Sequence, residues 1–237
     1  MTVDAPAQPT FKKSVAREYL ESLVVAFILA TFIRTFVVQA FKIPTGSMEN
    51  NLLIGDHLLV NKVVYSPSLG GLENGIMGKK PIQRGHVVVF KYPEDPARDF
   101  IKRVIGLPGE TIEIRDKRVY IDGQPLDEPY VHFLEPPLRP EDPEYGVRSD
   151  GRGDDYGPRT VPAGQLFVMG DNRDNSKDSR YWGFLPEDQV KGRALMVYWS
   201  YEASRDEYHR TGLVEWTRDT LAAFGKTRWR RFFHLIR

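Results

Sequence analysis

Two residues of this chain have the side chains of a nucleophile and its base. Ser47 stands within residues 43–48, six residues past Phe41, the last residue of an apolar stretch long enough to cross a membrane. A serine hydroxyl is a weak nucleophile until another group takes its proton, and that group is usually a histidine or a neutral lysine. At this position the nucleophile would act only on substrates that arrive at the same membrane.

Lys102 is the better candidate for the base. Residues 100–105 are mainly β-branched or aromatic apart from Lys102 and Arg103, which predicts a strand. Alternation along a strand places Lys102 on the face of Phe100 and Val104, and Arg103 on the other face. Burial of the ammonium there would lower its pKa from about 10.4 toward working pH. Two surface charges on an edge strand are the alternative, and position alone does not decide between them.

Histidine is the poorer candidate for the base. The five histidines are His57, His86, His132, His209 and His234, and none stands in a recognisable catalytic setting. Residues 45–49 also lack the Gly-x-Ser-x-Gly pattern of the α/β-hydrolase elbow. A Ser-His-Asp arrangement is therefore disfavoured.

The nucleophile would be positioned by a membrane anchor. Residues 20–41 contain 16 apolar residues among 22 and would span about 33 Å as a helix. Lys12, Lys13 and Arg17 precede them, which predicts a short cytoplasmic N-terminus over residues 1–19 and everything after Phe41 outside. A cleavable signal peptide is the alternative, but the long N-terminal region and Arg34 within the stretch disfavour it.

Composition limits the function without identifying it. About 195 of the 237 residues follow the anchor, enough for one substantial domain. The net charge of +1 gives no reason to expect a nucleic-acid partner. The chain has no cysteine, which excludes disulfides, thiol catalysis and thiolate metal sites.

The remainder is predicted to be mainly β, with folded antiparallel sheets or a barrel-like catalytic domain over residues 42–205. Short β-branched or aromatic runs separated by turn signals indicate strands at residues 58–60, 87–90, 100–105, 111–114, 119–121, 166–169 and 194–199. Two stretches are predicted loops: the Gly-rich residues 66–80, and an insertion rich in proline and acids at about 124–160.

The last segment, residues 206–237, is predicted to be a basic amphipathic tail. Leu221, Phe224, Phe232 and Ile236 would fall on one side of a helix, with Trp229 near them. We expect this tail to rest on anionic lipid headgroups of the bilayer. A solvated tail is the open alternative.

Four segments, in order, give the chain a family resemblance. These are residues 43–48, 55–62, 102–110 and 170–183. Together they closely resemble the bacterial type I signal peptidases, from the anchor to about Trp199. The last segment is the most specific, since a run so rich in Asn, Asp, Arg and Ser rarely recurs by chance. It is not a calcium loop, because Arg173 and Ser176 occupy its third and sixth positions.

The resemblance implies a Ser/Lys dyad that needs no metal or cofactor. Ser47 would attack the scissile carbonyl and Lys102 would take its proton, while Thr45 and the Ser47 N–H would form the oxyanion hole. The same resemblance implies that Ser176 would hydrogen-bond to the Lys102 amine and orient it. Two ion pairs would support the site, Asp178 with Arg180 and Asp171 with Arg103. Met48 would pack beside the dyad and help to exclude water.

The implied activity is the removal of signal peptides from exported preproteins. The substrate would add as a strand along the extended residues 43–48 and be cut after small residues at positions −3 and −1. The implied location is the bacterial cytoplasmic (inner) membrane, with the catalytic domain on its outer face and the export translocon in functional proximity.

Three positions depart from the family pattern, and other protein classes are the alternatives to it. Asn50 and Asn51 follow Met48-Glu49 where the family often has Pro-Thr, and His86 replaces an expected acid. Self-cleaving repressors also use a Ser/Lys dyad, but they need a DNA-binding module where this chain has an anchor. A membrane-tethered, non-catalytic scaffold protein of the same fold would require Ser47 or Lys102 to be misplaced. Lys102 disfavours the His-dependent eukaryotic and archaeal signal peptidases.

Overall fold

The computed structural model describes residues 14–63, 65, 81–134, 154–202 and 225–236. Several predictions lie wholly or partly outside these ranges. They concern Lys12 and Lys13, the Gly-rich loop at 66–80, most of the insertion (135–153), and residues 203–224, which hold most of the tail. The chain divides between Val37 and Val38 into two units.

The first unit is an apolar helix. Helix α1, Val15–Phe32, continues as a π-helical turn at Ile33–Val37, and the Ser14 side chain caps its start by accepting from the Arg17 N–H. The stretch Val15–Val37 contains 18 consecutive residues with a mean hydropathy of 1.9, and none of its 23 residues is buried in the protein. At about 35 Å, it is long and apolar enough to cross a membrane.

The second unit consists mainly of strands. In chain order the described residues form β1 Val38–Lys42, β2 Asp56–Asn61, β3 Val87–Tyr92, β4 Asp95–Gly106, β5 Thr111–Arg115, β6 Arg118–Ile121, β7 Gln124–Pro125, β8 Tyr156–Thr160, β9 Gln165–Met169, β10 Leu185–Pro186, β11 Val190–Ser200 and β12 His234–Leu235. A short helix, α2 at Ser179–Trp182, lies between β9 and β10.

Over the described residues, these strands form two antiparallel sheets. The larger has the order β1-β2-β11-β3-β4-β9-β10, with β12 also pairing with β11, and the smaller has the order β7-β6-β5-β8. Each of the seven predicted strands overlaps a strand of these sheets. The prediction of a mainly β chain of folded antiparallel sheets, with an N-terminal apolar helix, is confirmed.

Three apolar clusters hold the sheets together. One contains Ile43 and Met48 from the segment that carries the candidate nucleophile, a second packs against β3 and β4, and the third joins the large sheet to the small one through Ile105, Ile112 and Phe167. Side chains of this size each gain about 1.5–3 kcal/mol from full burial. The loop of Ser47 is therefore fixed to the core and not left as a free linker.

The anchor is shifted relative to the prediction. The helix starts at Val15 instead of residue 20 and ends at Val37 instead of residue 41. Residues 38–42 form β1, whose partners run from Val38 opposite Asn61 to Lys42 opposite His57. A short apolar run does not distinguish helix from strand, and pairing with β2 decides the matter here.

The described end of the tail also differs from the prediction. Residues 229–236 form a 3₁₀ turn and β12 instead of an amphipathic helix. Arg231 donates to both carboxylate oxygens of Asp56, at 3.1 and 2.6 Å, and Asp56 is completely buried. A buried carboxylate needs such a partner, and this requirement holds the segment against the sheet.

Candidate active site

The candidate nucleophile lies on a loop closed at its base by backbone hydrogen bonds. Ile43 N–H donates to Asp56 O at 2.9 Å, and Gly55 N–H donates to Ile43 O at 3.1 Å. Within the loop, Glu49 N–H donates to Gly46 O and Leu52 N–H to Met48 O. Met48 has no exposed surface, so its burial fixes the neighbouring Ser47 against the domain.

Ser47 and Lys102 meet at the end of this loop. Lys102 Nζ lies 2.6 Å from Ser47 Oγ, in hydrogen-bond contact, although the residues are 55 positions apart in sequence. Ser47 is 7% exposed and Lys102 3% exposed. As the alternation predicted, Lys102 Nζ lies on the side of Phe100, 5.6 Å from the centre of its ring, whereas Arg103 points the other way.

Burial gives Lys102 the protonation behaviour of a base. Desolvation lowers the pKa of its ammonium to about 8, with Asp178 opposing the shift and Arg180 adding to it. The neutral amine is then accessible near working pH and can accept the Ser47 proton. The geometry thus brings together a hydroxyl and an amine in a setting suited to nucleophilic catalysis.

Arg103 and Asp171 form a buried ion pair on the opposite face of β4. Arg103 Nε and Nη2 donate to the two carboxylate oxygens of Asp171 at 2.8 and 2.7 Å, and Nη1 donates to Gly85 O. The guanidinium also lies 4.0 Å from the centre of the Tyr130 ring. Asn51 Nδ2 donates to Asp171 Oδ2 at 2.7 Å, which ties the nucleophile loop to this pair.

Asp178 and Arg180 form the second buried pair. Arg180 Nε and Nη2 donate to Asp178 at 2.8 and 2.9 Å, and Gly170 N–H donates to the same carboxylate at 3.0 Å. Burial by itself would raise the pKa of Asp178, but Arg180 and these hydrogen bonds lower it overall. Asp178 is therefore a fixed negative charge near Lys102.

Ser176 has a different partner from the one predicted. Its hydroxyl donates to Asp178 Oδ2 at 2.7 Å, and the structure gives no hydrogen bond between this hydroxyl and Lys102, both described residues. A carboxylate is the stronger acceptor, and Asp178 lies only two positions away. Ser176 thus bears on Lys102 through Asp178 and not by direct contact.

Gly170 lets the loop approach the nucleophile. A Cβ at this position would overlap Ser176 Oγ and would lie 2.5 Å from the Ser47 carbonyl oxygen. Even an alanine would therefore force the two segments apart.

The departure at Asn50 has a backbone explanation. Asn50 adopts a φ of +72°, in the left-handed region that asparagine tolerates. Proline is restricted to a φ near −65°, so the proline frequent here in the family could not take this conformation. The loop beyond Ser47 therefore has its own backbone path, and Asn51 fixes it to Asp171.

Two hydrogen-bond donors remain available beside Ser47. Thr45 is exposed, and neither its hydroxyl nor the Ser47 N–H donates a hydrogen bond in the part of the chain described. Unused donors two residues apart suit the binding of a developing oxyanion.

The remaining departure, His86, has no hydrogen bond to Ser47 or Lys102 in the described structure. Its Nδ1 is 2.5 Å from the Tyr65 hydroxyl oxygen. Burial lowers the pKa of His86 to about 4, with Arg193 adding to the shift. The imidazole is therefore neutral at physiological pH.

Sequence reasoning missed Asn172, which touches the nucleophile loop at three points. Its backbone N–H donates to Ser47 O at 3.2 Å, and its side-chain Nδ2 lies 3.3 Å from Gly46 O and 3.2 Å from Glu49 Oε2. Asn172 stands inside the most specific of the four segments, and its place between Asp171 and Arg173 was the available signal.

Comparison with known proteins identifies the family of the chain. The family model described as signal peptidase, peptidase S26, matches residues 16–199. A signal peptidase I of Pseudomonas fluorescens is 34% identical over 236 residues, covering 86% of this chain and 81% of that protein. A probable signal peptidase I-1 of Synechocystis is 41% identical over 196 residues, covering 80% and 84%.

A solved structure is also similar in sequence. It is the crystal structure of a signal peptidase I from Enterococcus faecalis, 34% identical, and the match covers 48% of this chain and 97% of that chain. The TM-score of this match is 0.37.

Proposed function

Since the chain belongs to the signal peptidase family, peptidase S26, we propose that it removes N-terminal signal peptides from exported preproteins with a Ser47/Lys102 dyad. The observation that carries the proposal is the buried contact of 2.6 Å between Lys102 Nζ and Ser47 Oγ. Burial lowers the pKa of Lys102, so its neutral amine can act as the base. No histidine of the sequence stands in a recognisable catalytic setting.

The proposed reaction proceeds in two halves. Neutral Lys102 takes the proton of Ser47 as Oγ attacks the scissile carbonyl carbon, and the lysine then gives that proton to the departing amine. The signal peptide remains joined to Ser47 as an ester. Water, deprotonated by Lys102, attacks this ester, and the proton returns to Ser47 Oγ as the signal peptide leaves.

The Ser47 N–H and the Thr45 hydroxyl are the proposed oxyanion hole. Both belong to the loop that carries Ser47, and neither donates to another group among the described residues. Loss of one such donor typically lowers kcat by about 10²- to 10³-fold.

The remaining predicted residues act around the dyad. Asp178, held by Arg180 and Ser176, keeps a fixed charge near Lys102 and limits how far burial lowers its pKa. Arg103 on β4 binds Asp171, which follows β9, and Asp171 also accepts a hydrogen bond from Asn51 in the loop that carries Ser47. Their roles are therefore those of support and orientation.

The substrate is proposed to bind as an added strand. Residues 43–48 continue from β1, which lies at the end of the large sheet's strand order, and Pro44 favours an extended residue before it. Alternate side chains of the preprotein would then enter shallow pockets, which suits small residues at positions −3 and −1.

The protein is membrane-anchored, and its proposed location is the cytoplasmic (inner) membrane. Helix α1 has the length and hydropathy of a single span. The basic residues before it favour an inside N-terminus, with the catalytic domain on the outer face near the export translocon. The lipid bilayer and the signal peptide are thus its proposed partners.

Cleavage of a purified preprotein in detergent tests the proposal. Ser47→Ala and Lys102→Ala should each lower kcat/KM by about 10⁴-fold or more, while Lys91→Ala, an exposed lysine on β3, should not change it. Full activity in either dyad variant would exclude this mechanism. A wild-type protein that binds the preprotein but never cuts it would support the scaffold alternative.

A further inference from the structure

The oxyanion hole proposed above depends on the direction of one peptide plane. The Gly46 carbonyl and the Ser47 N–H belong to the same peptide unit, which is trans, so the two groups point in opposite directions. Whatever holds the Gly46 oxygen therefore also aims the Ser47 N–H. Two donors hold it: Glu49 N–H at 3.1 Å and Asn172 Nδ2 at 3.3 Å.

The Asn172 amide is built for this contact. Its side chain is completely buried, and its two acceptors are the Gly46 carbonyl oxygen and Glu49 Oε2, at 3.3 and 3.2 Å. The flipped amide would set its own oxygen against these two oxygens, which fixes the assignment with Nδ2 toward the loop. Asn172 also binds the backbone on the C-terminal side of Ser47, since its own backbone N–H donates to Ser47 O.

This orientation leaves the other end of the amide unpartnered. Asn172 Oδ1 is buried and accepts no hydrogen bond from the described residues. An unpaired buried acceptor is rare because it is unfavourable, and an apolar side chain of similar size would avoid it. The unpaired Asn172 Oδ1 therefore lowers the stability of the fold, and this cost accompanies the donor that Nδ2 provides.

We propose that Asn172 is a positioning residue of the oxyanion hole, which holds the Gly46–Ser47 peptide so that the Ser47 N–H faces the developing oxyanion. The inference rests on the proposed function, because it assigns a residue to the same site. Asn172 acts through the peptide and does not itself contact the reacting atoms. It should therefore influence the transition state and leave substrate binding and the base unchanged.

Asn172→Leu tests the inference, since it removes the donor and keeps the size of the side chain. We expect kcat for a preprotein peptide to fall by about 10- to 100-fold while KM stays within about twofold. A substrate-based peptide aldehyde, whose hemiacetal oxygen occupies the oxyanion position, should lose affinity by the same factor. The acid limb of the pH–rate profile should not move, because Lys102 and its neighbours are untouched.

Asn175→Leu is the matched control, an exposed asparagine on the same loop that should keep wild-type kcat. If Asn172→Leu folds poorly by thermal unfolding, Asn172→Ser, too short to reach Gly46 O, must give the same pattern. The inference would be overturned by any of four results for the Asn172 variants. These are a kcat within twofold of wild type, a loss of activity that arises from KM, an unchanged affinity for the aldehyde, and a shifted acid limb of the pH–rate profile. Ser47→Ala is assayed alongside: its retained activity would instead overturn the proposed function.

Discussion

Lys102 and Arg103 are neighbours on β4, yet the two buried cations differ in their partners and in their chemistry. Arg103 faces Asp171, whose carboxylate accepts two hydrogen bonds from the guanidinium. Lys102 faces the uncharged Ser47 hydroxyl, with Asp178 acting on it only at longer range. A direct carboxylate partner preserves a buried charge, whereas a hydroxyl lets burial favour the neutral amine. One face of the strand thus carries a structural ion pair, and the other carries the proposed base.

The largest expected effect is on the structural face. Arg103→Ala leaves Asp171 buried without its ion-pair partner and should lower the free energy of unfolding by about 3–5 kcal/mol. Urea unfolding in detergent measures this change. Arg115→Ala, which breaks a surface pair with Glu113, is the control and should change stability by less than about 1 kcal/mol. Equal effects of the two variants would remove the distinction between the faces.

The next effect is on the catalytic face and depends on pH. Because only neutral Lys102 can accept the Ser47 proton, and its pKa is about 8, kcat/KM should fall as pH drops through 8. At pH 6 activity should be about 100-fold below its alkaline plateau, with a slope of one. Peptide cleavage measured from pH 6 to 10 checks this, and a flat profile would mean that Lys102 is not the base.

A smaller effect concerns stability on that same catalytic face. Between pH 8 and about 10.4 the unfolded chain binds a proton that the folded Lys102 does not, so this residue makes stability rise with pH. Below pH 8 its buried charge opposes folding. Lys102→Met should therefore stabilise the protein at pH 7 by about 2 kcal/mol, and by much less at pH 10.

Unfolding curves at the two pH values test this gain. Lys91→Met serves as the control, since Lys91 is exposed and its replacement should give no pH-dependent gain. A Lys102→Met variant destabilised at pH 7 would show that the ammonium is well accommodated in the fold.

The strands that could be predicted from the sequence are those made of residue types that favour extended backbone by themselves. The runs within β3, β4 and β9 are β-branched or aromatic, and they fold as predicted. Strand β8, Tyr156–Thr160, contains Gly and Pro and was taken as part of a loop. It exists because it pairs with β5, a long-range contact that local propensity does not reveal.

The same limit applies to the site. The pairing of Ser47 with Lys102 was predicted from residue types, alternation and family resemblance, since alternation places Lys102 and Arg103 on opposite faces of β4. The partner of Ser176 was not predicted, because Asp178 and Lys102 are both plausible hydrogen-bond partners until distances are known. Asn172 was missed for a similar reason: its contacts depend on the path of a loop more than 100 residues earlier.

The contact between Arg231 and the nucleophile loop bears on the order in which the protein can assemble. Arg231 Nη2 donates to Asn51 O at 2.7 Å across 180 positions of sequence. A ribosome adding about 5–20 residues per second would make Arg231 roughly 10–40 s after Asn51. For most of that interval the nascent chain already carries Ser47 and Lys102 but lacks the Arg231 hydrogen bond to the loop that holds Ser47. The site therefore reaches its final geometry late in synthesis, after the anchor has been made.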